Sequence, residues 1–236
     1  VCVGDADERG FDRIVMMDDD ITRVGLLEDR TVEGGKPKSG RYSHKNTPWE
    51  AWEFTLHCLA LGCRMADAVF YHAEDVAYGS TRSAFMSSDV DVSQTATIDA
   101  RGFPLCVLFI DVHRFTMRHM PQPFQYEGED LAMFCDAYQN GWATFLFNTL
   151  IFDDDRGLAT TIPFSGDGEI DRTANLEDAQ ALYSEIGPYL RVTNKNPATG
   201  AVKRIGVDWR RRHKDLGTQP THIMTDDVVS YIKEDM

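Results

Sequence analysis

Four apolar residues, Ile14-Val15-Met16-Met17, run straight into three carboxylates, Asp18-Asp19-Asp20. A short apolar run bounded by charge predicts a buried strand. The aspartates then fall at its carboxyl end, where open α/β sheets bind their ligands. Three like charges this close repel one another and are stable together as anions only when a cation joins them. Hard Mg²⁺ or Mn²⁺ suits an all-carboxylate donor set and also takes phosphate oxygens. The run points to a metal–diphosphate site, and a solvated acidic turn is the other reading these residues allow.

Two further apolar runs predict buried strands. Leu105 to Ile110 ends at Asp111 and His113, and residues 143–152 are closed by Asp153-Asp154-Asp155. Ala68-Val69-Phe70-Tyr71 predicts a short strand ending at His72. Residues 21–46 read as loop, with a glycine-rich basic stretch from Gly34 to Lys45. Residues 73–102 show little periodicity, and Gly79-Ser80-Thr81-Arg82-Ser83 is a candidate binding loop within them.

Three helices are signalled. Thr47-Pro48-Trp49-Glu50 forms a capping box with proline at the first helical position. Trp49, Trp52, Leu56, Leu59 and Cys63 follow at helical spacing as the expected core face, and Gly62 is the expected stop. Glu129 and Asp130 open a second helix with the apolar face Leu131, Phe134, Cys135 and Tyr138, ended by Gly141. In its first turn the helix dipole favours ionised carboxylates, which suits a base but is also a plain helix signal. A third helix spans about 175–186 and stops at Gly187-Pro188. Residues 201–210 alternate as a half-exposed strand, and the Asn196–Gly200 turn makes a hairpin with 189–194.

Charge separates the chain. Its total is −14, which argues against a general nucleic-acid binder. Residues 191–214 nevertheless carry eight Lys/Arg against one Asp, a local +7 that leaves −21 elsewhere. Five cysteines, odd in number and without a C-x-x-C pair, favour free thiols in a reducing, cytoplasmic compartment. No run approaches the roughly 20 apolar residues of a membrane span, so no membrane partner is expected.

The order strand, DxD turn, acceptor loops and an E-D pair opening a helix is that of a GT-A glycosyltransferase. More narrowly, the chain resembles the TET-associated glycosyltransferases, a GT-A family encoded by phages and related to a domain of some eukaryotic nuclear proteins. Four segments carry the likeness: Ile14–Ile21, Gly79–Ser88, Gly128–Met133 with Asn140-Gly141, and Ser165–Thr173. The last leads through Gly187-Pro188 to Val207-Asp208-Trp209-Arg210, where the family has a V-x-W-K-type strand. The family's glycine pair before the arginine is here Gly166-Asp167-Gly168. The resemblance implies an α/β fold, a GT-A-like mixed sheet flanked by helices, with the N-terminal nucleotide-binding portion absent from this chain. Residues 1–215 are then one GT-A domain, incomplete at its N-terminus, and 216–236 a C-terminal tail.

The resemblance also implies roles. Asp18 and Asp20 hold Mn²⁺ or Mg²⁺. Asp18 and Asp19, with Arg82 and Arg172, face a UDP-sugar donor. Asp130, with Glu129 as the alternative, is the base that deprotonates the acceptor hydroxyl. The acceptor is a 5-hydroxymethylated pyrimidine in DNA, and Lys203, Arg204, Arg210, Arg211 and Arg212 form the expected nucleic-acid surface. Three rival readings stand beside this one: a GT-A enzyme acting on a small molecule, glycan or protein; a non-catalytic binding domain of the same fold; and a nucleotidyltransferase.

Overall fold

The computed structural model describes residues 2–18, 21–30, 38–42, 52–82, 94–98, 105–115, 129–154, 172–196, 201–217, 221–224 and 226–227. In chain order the elements are α1 (Cys2–Glu8), β1 (Arg13–Met17), β2 (Ile21–Arg30), β3 (Lys38–Tyr42), α2 (Trp52–His72), β4 (Val76–Arg82), β5 (Gln94–Ile98) and β6 (Leu105–Asp111). There follow α3 (Glu129–Gln139), β7 (Ala143–Asp154), α4 (Arg172–Leu182), a 3₁₀ turn (Gly187–Tyr189), β8 (Leu190–Asn196), β9 (Ala201–Val207), α5 (Trp209–Leu216) and β10 (Thr221–Met224). The protein is mixed α/β and divides into two units. The first comprises Val1–Phe115, Ala143–Ile162 and Pro220–Met236; the second comprises Thr116–Trp142 and Pro163–Gln219.

The first unit is a mixed sheet with strand order β1-β6-β4-β7-β2-β3. Its spine is the 12-residue β7. One side of β7 carries β4 in parallel, and the other pairs antiparallel with β5 and then β2. The connection from β1 to β2 forces this sheet to curl. Met17 and Ile21 lie four residues apart in sequence, so their Cα atoms are at most about 14 Å apart. Four flat inter-strand spacings would separate β1 from β2 by about 19 Å.

β1 is an edge strand rather than the buried strand expected. Its residues alternate between exposed and half-buried, with Val15 and Met17 each 38% exposed. Residues 21–30 and 38–42, expected as loop, are paired strands, with Leu27 opposite Tyr42. Val76–Arg82 and Gln94–Ile98 likewise form strands within the stretch that lacked periodicity. The Gly79–Arg82 part of the expected binding loop therefore lies in β4, where Ser80 and Thr81 are buried. Residues 83–88, residues 31–37 and 43–46 of the expected loop, and the expected helix start at 47–51 lie outside the described residues.

α2 runs through both the expected stop at Gly62 and the expected strand at 68–71. The glycine serves packing: a Cβ there would lie 2.5 Å from Phe109 Cζ. The buried face is Thr55, Cys58, Gly62, Met65, Ala66 and Val69. The expected core stripe is offset from it, leaving Trp52 45% and Leu56 47% exposed. Gly79 acts similarly in β4, where a Cβ would fall 2.3 Å from the Phe145 ring. Phe145 packs edge-on against Phe70 of α2 at 5.7 Å, so the helix meets the sheet through aromatic rings admitted by glycines.

The second unit follows the sequence more closely. In α3 the expected face is buried at Leu131, Phe134 and Cys135. Its end is a Schellman motif: Gly141 has φ +82, its N–H donates to Tyr138 O, and Trp142 N–H donates to Ala137 O. β8 and β9 form the expected hairpin, with Val192 opposite Ile205 and Thr193 opposite Arg204. The strand stops at Val207, earlier than expected. Asp208 caps a helix instead, its carboxylate accepting from Arg211 N–H at 3.1 Å. Segment 216–236, read as a tail, contributes β10, which pairs with β5 and buries Ile223.

Candidate functional site

Strand directions bring several of the expected donor-side residues to one end of the first unit's sheet. β1 and β4 are each antiparallel to β6, so they run the same way, and β7 runs parallel to β4. Their carboxyl ends therefore share one sheet end. Asp18 directly follows β1 and is exposed, Arg82 ends β4 opposite Ile151, and Asp154 ends β7 opposite Ile21. The Asp153-Asp154 pair closing β7 thus belongs to the same sheet end as Asp18, a placement set by register and not by any local motif. Asp19 and Asp20 lie outside the described residues. Among the described residues no group of three or more His, Cys, Asp or Glu side chains is arranged to hold a metal.

A dense polar constellation among the described residues lies near the other sheet end. Asp111, its side chain 3% exposed, accepts at Oδ1 from the N–H groups of His113 and Arg114, each at 3.0 Å. At Oδ2 it meets Arg13 Nη1 and Arg114 Nε, each at 3.1 Å. Arg114 Nη1 also lies 3.1 Å from the carbonyl oxygens of Phe70 in the last turn of α2, of Ala73 just after it, and of Val76, the first residue of β4. Arg13 stacks over the Phe70 ring at 4.9 Å. The arginines line a polar surface pocket with Asp67, Tyr71 and Glu74. Their committed geometry makes this a pin joining β1, β6 and α2, and none of its residues was in the expected site. The D-x-x-R spacing after the apolar β6 run is its sequence trace.

Beside the pin, His113 Nε2 lies 2.8 Å from Asp12 Oδ1, and Nδ1 lies 3.8 Å from Asp7 Oδ1. The hydrogen bond to Asp12 raises the imidazole pKa above its ordinary value and lowers that of the Asp12 carboxyl. Cys58, Cys63 and Cys135 are free thiols. Burial pushes Cys58 up to about 11 and raises the other two, which marks them as packed rather than reactive groups.

In the second unit, Glu129 and Asp130 are the first two residues of α3, and Arg172 is the first of α4. Their backbones are described and their side chains are not. The segment before Arg172, including Gly166-Asp167-Gly168, lies outside the described residues. In the hairpin, Lys203 lies opposite Asn194 and Arg204 opposite Thr193. Arg191 Nη1 pairs with Asp208 Oδ2 at 3.2 Å and was not among the expected cationic contacts.

The three consecutive arginines divide on α5. Arg210 and Arg211 are exposed, Arg211 pairing with Asp215 at 3.5 Å. Arg212 is 3% exposed, which corrects its expected place on a nucleic-acid surface. Its guanidinium lies over the Tyr138 ring at 4.5 Å and near the Trp209 ring at 5.5 Å. A helix turns about 100° per residue, so consecutive basic residues cannot all face one way.

Comparison with family models, with curated proteins and with solved structures gave no match. No helix among the described residues is long and apolar enough to cross a membrane.

Proposed function

We propose that the chain is a metal-dependent glycosyltransferase that moves a sugar from a nucleotide-diphosphate donor to the hydroxyl of a 5-hydroxymethylpyrimidine in DNA, with a GT-A-like fold. The observation that carries this reading is the DxD run directly after β1, followed in sequence by an E-D pair that opens α3. Support comes from the exposed position of Asp18, from Arg82 at the same sheet end, and from exposed cations on α5.

Mn²⁺ or Mg²⁺ fits the chemistry of this donor set, since Asp18 and Asp20 offer only hard carboxylate oxygens. Held there, such an ion would supply counter-charge to a diphosphate leaving group. Arg82 and Arg172 hold phosphate oxygens through their planar forks, and Asp19 shapes the turn. Asp130 takes the proton from the acceptor hydroxyl, a weak nucleophile until a placed base removes it. Asp130 stands in the first turn of α3, where a helix dipole favours the charged form of a carboxylate, the form a base needs. Arg210 and Arg211, with Arg191, hold the DNA backbone. A base stacked within a duplex must be turned out before its hydroxymethyl group can reach a protein side chain.

One observation favours a second reading. With Arg212 buried, the basic surface of a −14 chain is smaller than its sequence suggests, which suits a GT-A enzyme with a small-molecule, glycan or protein acceptor. The test is incubation of the full chain with hydroxymethylated duplex, Mn²⁺ and a panel of UDP-sugars, followed by nucleoside mass spectrometry. The expected result is a hexose-sized mass gain that Asp20→Ala and Asp130→Asn both abolish. Metal-dependent donor hydrolysis without nucleoside gain moves the assignment to the second reading. Absence of both leaves a binding domain.

A further inference from the structure

Helix α5 has two cationic faces, and only one meets solvent. Arg210, Arg211 and Lys214 are exposed, while Trp209 is half-buried and Arg212 and His213 are buried. The inner face grips α3. Phe134 lies edge-on to Trp209 at 5.0 Å, and Arg212 sits over Tyr138 at 4.5 Å. Trp209 also stacks on His213 at 6.2 Å, stiffening the same face. A buried guanidinium between two rings is held by dispersion and by the ring quadrupoles, and its planar shape makes it a poor match for lysine. The outer end of α5 is fixed too, because Asp208 caps it, pairs with Arg191 of β8, and donates its N–H to Tyr189 O at 2.7 Å.

Phe134 and Tyr138 lie in the later turns of α3, and Glu129-Asp130 form its start. An α-helix of 11 residues is a rod about 16 Å long, so gripping its later turns sets the direction of its first. We propose that Arg212 is a positioning residue: wedged between Tyr138 and Trp209, it locks α3, and with it the acidic first turn, to the helix that presents Arg210 and Arg211. The functional weight of that lock rests on the glycosyltransferase reading; the lock itself does not. Binding of a polyanion to the outer face of α5 would then act on a body already rigid with the base-bearing helix.

The test pairs amide hydrogen exchange, read by mass spectrometry on the full chain, with duplex-DNA binding at several salt concentrations. Arg212→Met and Tyr138→Leu should each raise exchange across 129–139 by about tenfold or more while β6 peptides keep their protection. Arg212→Met should leave the slope of log K against log salt unchanged. Arg210→Gln with Arg211→Gln should do the reverse, flattening the slope by up to about 1.8 and leaving α3 protected. Unchanged exchange in both single variants overturns the lock, and so does a slope loss of about 0.9 in Arg212→Met, which would make it a phosphate contact. Should Arg212→Met lose protection in β6 as well, Arg212→Lys decides. Faster exchange confined to α3 supports the lock, and a uniform change or none overturns it. In an active enzyme Arg212→Lys should lower kcat with the KM for DNA unchanged. A wild type that transfers no sugar would remove the functional reading while the exchange result stands.

Discussion

Asp111, the last residue of β6, gathers four donors from β1 and from the turn after β6, and Arg114, which supplies two of them, also ties down the end of α2. Replacing it with asparagine keeps the shape and removes the charge that two arginines face. Breaking one member of a buried ionic group costs about 3–5 kcal/mol, and the low end applies here because both arginines keep some contact with water. Urea unfolding of Asp111→Asn should therefore show a loss near 3 kcal/mol; a loss under about 1 kcal/mol would mean that the arginines find other partners. His113 gives a separate, pH-dependent prediction. Its pKa is raised, so its pairing with Asp12 contributes fully below the ordinary histidine value of 6.5 and is lost as pH climbs through the higher folded value. Asp12 is lowered, so its share is present above the ordinary 3.8 and is lost as pH falls through the folded value beneath it. Asp12→Asn should differ most from wild type between those two limits and converge on it in alkali. Proton NMR of the His113 ring should show its titration midpoint fall in Asp12→Asn; a stationary midpoint would leave the hydrogen bond without effect.

Elements in the first unit are defined by what they touch more than by their own residues. Gly62 is a stop signal in sequence and a contact in space, because its partner ring, Phe109, comes from β6. Gly79→Ala drives a methyl group into the Phe145 ring, and overpacking of this kind costs about 1–3 kcal/mol. Thermal unfolding should show that loss, and Gly79→Ala with Phe145→Leu should lose less than the separate effects combined. Strict additivity would show that the two sites do not meet. β10 makes the same point at the far end of the chain. Ile223→Asp, at 6% exposure, should unfold the β5–β10 edge, whereas Met224→Asp, at 45%, should change stability by no more than about 0.5 kcal/mol. Equal effects would detach β10 from the sheet. β6, β7, α3 and the β8–β9 hairpin were legible because each carries its own signal: a continuous apolar run, or periodicity with glycine at the stop. β2 to β5 were not, since polar and small residues such as Ser80 and Thr81 become strand only through partners far along the chain. Of the residues proposed for the site, the places of Asp18 just after β1 and of Asp130 in the first turn of α3 were legible from local motifs. The placement of Asp18, Arg82 and Asp154 at one sheet end depends on strand direction, and the burial of Arg212 depends on Tyr138, so neither could be read locally.

At the scale of the whole molecule, charge decides whether DNA is a reachable partner. The chain carries −14, of which 191–214 contributes +7, so a duplex meets long-range repulsion and short-range attraction. At physiological salt charges are screened beyond roughly 8 Å, which leaves the local patch to dominate once contact is made. Part of that patch is already engaged: Arg191 faces Asp208, Arg211 faces Asp215, and Arg212 is buried. Each phosphate contact steepens log K against log salt by roughly 0.9 for duplex DNA. Three surface arginines would contribute about 2.7 to that slope and two contribute about 1.8, so burial of Arg212 lowers the ceiling for the whole run. The triple replacement of Arg210, Arg211 and Arg212 by glutamine should flatten the slope no more than the double replacement of Arg210 and Arg211. Metal-supported donor hydrolysis without DNA should survive the double replacement, because the proposed metal ligands Asp18 and Asp20 belong to the other unit. Fluorescence anisotropy with hydroxymethylated duplex, titrated at four or more salt concentrations (about 50 to 200 mM, where such slopes are resolved), separates the cases. A triple variant with a clearly shallower slope than the double would put Arg212 on the DNA. A wild type with no salt dependence at all would take DNA out of the reaction and leave the acceptor a small molecule, a glycan or a protein.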